Sequence, residues 1–102
     1  IVLSDDPAEA RRIARGHMAI YLTLPNYVNS LRHLGFGDAD FADGGSDRLV
    51  DEIVAWGDQQ AISDRVAELR ASGADHVVLQ PLADDLSGVV DQLERLAPAL
   101  LA

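Results

Sequence analysis

The residues able to do chemistry are few and scattered. His17, His33 and His76 are the candidates for metal binding or proton transfer, yet no two share an i, i+4 helical spacing and each falls in a different predicted element. No metal site is therefore expected. His17 stands one helical turn before Tyr21 on an apolar stripe and reads as a hydrogen-bonded core residue, while His76 at the start of a predicted strand reads as stabilising. Gly44-Gly45-Ser46 ahead of a helix has the form of an anion cradle. Asp43 and Asp47 flank it and repel phosphate, so a plain loop with a serine cap is the better reading. Arg48 either reaches an anionic substrate from that turn or pairs with Asp51 or Glu52 along the helix surface. Gln80 closes an apolar run and carries an amide that either meets a ligand oxygen or satisfies loop backbone groups. Trp56, before Gly57, is a packing anchor or a stacking platform. The stretch Tyr21 to Tyr27, with Pro25 and Asn26, either lines a ligand cleft or forms a kinked helix pair.

The elements that must position these groups follow from apolar periodicity. Ile1 to Leu3 reads as a strand end, and Asp5 or Asp6 followed by Pro7 as a helix start. That helix is expected to bury Ala10, Ile13, Ala14, His17, Ile20, Tyr21 and Leu24 on one stripe. Pro25 interrupts it, and a second helix carries Tyr27, Leu31 and Leu34 to Gly35. Gly37 to Gly45 is an acidic loop with one helical turn around Asp40. Ser46 caps a helix bearing Leu49, Val50, Ile53, Val54 and Trp56, with Gly57 at its end.

Asp58 caps the next helix, where Ile62, Val66 and Leu69 recur at helical spacing and Gly73 supplies the left-handed stop. Val77, Val78 and Leu79 show no polar alternation, as in a strand buried on both faces of a parallel sheet. A last helix from Asp84 or Asp85 is expected to bury Leu86, Val89, Val90, Leu93 and Leu96, with Pro98 bending its end. The fold class is α/β and helix-rich, with two short strands and about five helices. Two strands cannot close a sheet with both faces covered, so either the helices wrap a very small sheet or, as is favoured here, the partner strands lie outside these residues.

Composition bounds the function. The chain has 102 residues, enough for one domain with a modest core. Its 48% hydrophobic and 25% charged residues match an ordinary folded domain, so disorder is not expected. The net charge of -9 repels phosphate backbones and anionic membranes, which disfavours nucleic acid and membrane partners. The absence of cysteine excludes disulfides and thiol chemistry and fits a reducing, cytoplasmic setting. The start, Ile1 to Asp6, resembles neither a signal peptide nor an initiator segment and reads as a strand joined in mid-course.

The ordered motifs carry a resemblance. Val2-Leu3-Ser4-Asp5-Asp6-Pro7-Ala8-Glu9-Ala10 is followed by Tyr21 to Tyr27, then Leu34-Gly35-Phe36, Val54-Ala55-Trp56-Gly57 and Ser72-Gly73-Ala74-Asp75-His76-Val77-Val78-Leu79-Gln80. This set resembles the C-terminal part of the luciferase-like oxidoreductases, in the actinobacterial branch that uses the deazaflavin coenzyme F-420. The resemblance covers nearly the whole chain, residues 1–102, as a single segment. It implies a (β/α)8 barrel, typically about 250 residues, of which this segment supplies the last two strands and their helices. It implies a parent that moves a hydride between the deazaflavin and a small organic substrate, or an FMN-linked monooxygenase. Because barrel chemistry sits at the C-terminal ends of strands, the resemblance puts Gln80 beside the cofactor and Arg48 near the substrate. Most cofactor contacts would come from absent strands, so the segment alone is expected to be inactive. The rival expectation is a small helix-rich binding module that buries its strands by self-association and has no chemistry of its own.

Overall fold

The computed structural model describes residues 1–101. The protein is α/β and helix-rich, and its sheet is very small. Strand β1 is Val2–Leu3, followed by α1 (Pro7–Met18), α2 (Pro25–His33), α3 (Asp38–Phe41) and α4 (Asp47–Ile53). Strand β2 (Trp56–Gly57) then leads to α5 (Gln59–Ala71) and α6 (Leu86–Leu100). β1 and β2 pair in parallel, with Val2 opposite Trp56 and Leu3 opposite Gly57.

Alternation along β1 organises the core. Val2 packs with Ala10 and Ala14 of α1 and Leu49 and Val50 of α4, while Leu3 packs with Ile62 of α5 and Leu96 of α6. Successive strand side chains point to opposite faces, so two residues suffice to seed a cluster on each side of the sheet. Leu49, Ile62 and Leu96 are fully buried, and each such side chain contributes about 1.5–3 kcal/mol.

Three expectations change. The helix begun at Ser46 ends at Ile53, because Val54 turns extended and Trp56 joins the sheet. The second strand is thus Trp56–Gly57, and Val77–Leu79 forms no ladder. The run from Asp75 begins with a bend and forms neither helix nor strand, with Val78 80% exposed, and it reaches the sheet only at its end. There the Ile1 nitrogen donates to the Gln80 carbonyl at 2.8 Å and the Leu82 N–H donates to the Ile1 carbonyl at 2.9 Å. Those bonds flank Pro81 in parallel register on the edge of β1 away from β2. β1 is therefore central, between β2 and residues 80–82.

The apolar stripes also shift. α1 ends at Met18, so Ile20, Tyr21 and Leu24 leave its buried face and stand 65%, 36% and 38% exposed. α6 turns Gln92 and Leu96 inward and leaves Leu86, Val90 and Leu93 outside. Among the described residues no helix is long and apolar enough to cross a membrane.

Two glycines fix the chain path around α5. Gly57 has φ +140°, and a Cβ there would meet the Ala61 Cβ at 2.6 Å, so no side chain fits the step from β2 into α5. Gly73, at φ +112°, comes directly after Ser72, the cap residue that follows the end of α5 at Ala71, and its N–H donates to the Arg70 carbonyl. Gly37, at φ -121°, holds an extended backbone open to any residue. Gly73→Val should therefore lose about 2 kcal/mol of stability and Gly37→Val much less. Equal losses in thermal melts would show that the stop is not set by Gly73.

Candidate functional site at the strand ends

In a parallel α/β arrangement the ligand crevice lies beyond the C-terminal ends of the strands. A cleft of about 280 Å³ opens there, with Leu3, Ser4, Asp84, Asp85, Gln92 and Arg95 among its walls. Its floor is set by Gln92, a buried amide. The Leu3 N–H donates to Gln92 Oε1 at 2.8 Å, and Gln92 Nε2 donates to the Leu82 carbonyl at 2.7 Å. A continued ladder would join Leu3 N–H to the Leu82 carbonyl directly, and the amide is inserted between them.

An aspartate guards each helix that leaves these strand ends. The Asp6 carboxylate accepts from the Ala8 and Glu9 N–H groups of α1, Asp58 from Ala61 of α5, and Asp85 from Gly88 of α6. A phosphate held at a helix start uses these same N–H donors. All three starts are already occupied by negative charge, so none of them is an anion site. Asp84, one of the cleft walls, is held by Arg12 at 2.9 Å, and Arg12 also binds Glu9 at 2.8 Å. The Arg12 hydrogen bond holds the Glu9 carboxyl below its ordinary pKa.

The structure separates the two residues singled out as binding groups. Gln80 lies level with Ile1, at the N-terminal side of the sheet, and lines clefts there with His17 and Leu82. It is thus one register step before the strand ends, although one of those clefts adjoins the Leu3–Gln92 cleft along Leu82, Ala83 and Asp84. Arg48 is engaged elsewhere. Its guanidinium donates to the Gly35 carbonyl at 3.1 Å and to Asp40 Oδ2 at 3.0 Å, and lies 4.3 Å from the centre of the Phe36 ring. Its acidic partner is Asp40, not Asp51 or Glu52. Asp51 instead binds Arg11 and accepts from Trp56 Nε1 at 2.8 Å, with Arg11 stacked over the indole. Trp56 is therefore an anchor tying β2 to α1 and α4. Ser46 caps α4 through the Leu49 N–H.

The chain matches no known protein family, no curated protein and no solved structure.

Among the described residues no group of three or more histidines and carboxylates is placed to hold a metal ion. Gln92 was not singled out by the sequence because it sits inside an apolar stripe. A polar residue between Val89 and Leu96, at the spacing of the buried face, was the available signal.

Asp40 carries a pH dependence. The Arg48 hydrogen bond first, then the Ser46 hydroxyl and the Gly37 N–H, hold its carboxyl far below the usual carboxylate range. A depressed folded pKa adds stability that is complete above the ordinary carboxylate value and is lost as pH falls below it. Asp40→Asn should accordingly lose less of its melting temperature than the wild-type chain between about pH 5 and pH 2. Parallel acid limbs for the two proteins would remove Asp40 from this role.

Proposed function

We propose that the chain is the C-terminal segment of a luciferase-like barrel whose parent transfers a hydride between the deazaflavin coenzyme F-420 and a small organic substrate, with FMN the alternative cofactor. The observation that carries this reading is the repeated unit: parallel β1 and β2 each run into an aspartate-capped helix, so their C-terminal ends share one side. That is the elementary unit of a (β/α)8 barrel. The open sheet edges and the exposed Val78 support it further, since both call for neighbouring strands. The phosphate site that such barrels build after their last strands is not built here, because Asp58 and Asp85 occupy those helix starts. The cofactor phosphate is therefore held by other parts of the parent.

One observation favours a second reading. Barrel strands follow one another in sequence order around the wall, whereas β1 here stands between β2 and residues 80–82. A self-contained α/β binding module, associating through its open edges and without catalysis, accommodates that order.

Cofactor binding separates the two. The chain alone should bind neither F-420 nor FMN in equilibrium dialysis, while the protein translated from the whole reading frame should bind one of them and turn it over with a reductant or organic acceptor. A whole-frame product that binds neither cofactor would overturn the oxidoreductase reading and leave the module.

A further inference from the structure

A second cleft lies at the other end of the strands from the Leu3–Gln92 site. Ile53 precedes β2 and His17 is in the last turn of α1, so their shared cleft opens on the N-terminal side of the sheet. It measures about 310 Å³, and its walls are apolar apart from the His17 imidazole and the hydroxyls of Tyr21, Tyr27 and Ser30. Small-ligand sites begin near this size, so it suits one fused ring system rather than the face of a helix.

The rings in it already meet one another in edge-to-face and tilted contacts. Tyr21 and Tyr27 meet edge to face with centroids 4.9 Å apart at 67°, and His17 lies 5.5 Å from Tyr21 at 49°. Aromatic rings prefer such geometry because the positive edge of one meets the negative face of another. Tyr21 and Tyr27 remain 36% and 44% exposed, so the row of rings has an open side. The side chains of His17, Tyr21, Tyr27 and Ser30 make no hydrogen bond among the described residues, which leaves donors and acceptors for a polar substituent.

We infer that this cleft is a binding site for a small, planar, hydroxylated aromatic molecule, which extends the row of rings and hydrogen-bonds at the rim. The inference does not depend on the hydride-transfer reading, since the site is at the opposite end of the sheet and involves no cofactor.

The test is isothermal titration of the full chain with naphthol, with cyclohexanol as the non-aromatic control. Saturable one-to-one binding of naphthol and none of cyclohexanol is expected. Tyr27→Leu keeps an apolar wall but removes a ring, and should weaken naphthol about tenfold. Ser30→Trp, at an exposed rim position, should block the cleft while its thermal melt stays that of the wild-type chain. Equal binding of cyclohexanol, or naphthol binding that survives Ser30→Trp unchanged, would reduce the cleft to a non-specific apolar surface and overturn the inference. So would a failure of naphthol to saturate.

Discussion

The fold depends on how the outer edge of β1 is satisfied. Val2 spends its N–H on the Ala55 carbonyl of the β2 side, which leaves Ile1 and Leu3 facing the other edge. At Ile1 the chain supplies a backbone partner, residues 80–82. At Leu3 it supplies a side chain, Gln92, whose amide offers one acceptor and one donor in the sense a peptide group would. The exchange holds because Gln92 is only 7% exposed. Away from water, an unpaired Leu3 N–H or Leu82 carbonyl would each cost about 1–3 kcal/mol. One residue of α6 therefore fixes β1, the 80–82 run and its own helix together.

That arrangement explains why so small a sheet can be sandwiched by helices. Val2 and Leu3 each seed a cluster, and the amide fixes which face α6 presents to the second of them. It also accounts for the apolar side chains left outside. With Gln92 and Leu96 turned inward, Leu86, Val90 and Leu93 lie on the opposite side of the helix. The aspartate caps at the strand ends belong to the same geometry, since each chain segment leaving the sheet turns directly into a helix.

Much of the local structure was legible in the residues. Asp58, Gly73, Ser46 and the helical turn at Asp40 all follow from capping and backbone preference, which are set within a few residues. The strands were harder. Val77–Leu79 has the composition of a buried strand, but pairing is decided by partners far away in sequence, and the backbone of β1 was claimed by Ala55 and Gln92 instead. Trp56 read as helical because its apolar neighbours keep helical spacing, and the break comes at Val54, where no proline or glycine announces it. The candidate site was only partly legible. The side of the sheet on which Gln80 falls depends on the register at Ile1, and Arg48 chose Asp40 across a loop over the carboxylates of its own helix. Gln92 shows the same limit, because a buried amide is recognised by what it bridges.

The measurement that tests this account most directly is native-state hydrogen exchange at single amides. The Leu3 N–H, bonded only to the Gln92 side chain, should exchange as slowly as the Val2 N–H, which is bonded to backbone, and far more slowly than the exposed Val78 N–H. In Gln92→Leu the protection at Leu3 should collapse while that at Val2 falls much less. A Leu3 amide that exchanges at the rate of Val78 in the wild-type chain would contradict the account, because Leu3 would then have no partner on the edge that Gln92 is said to complete.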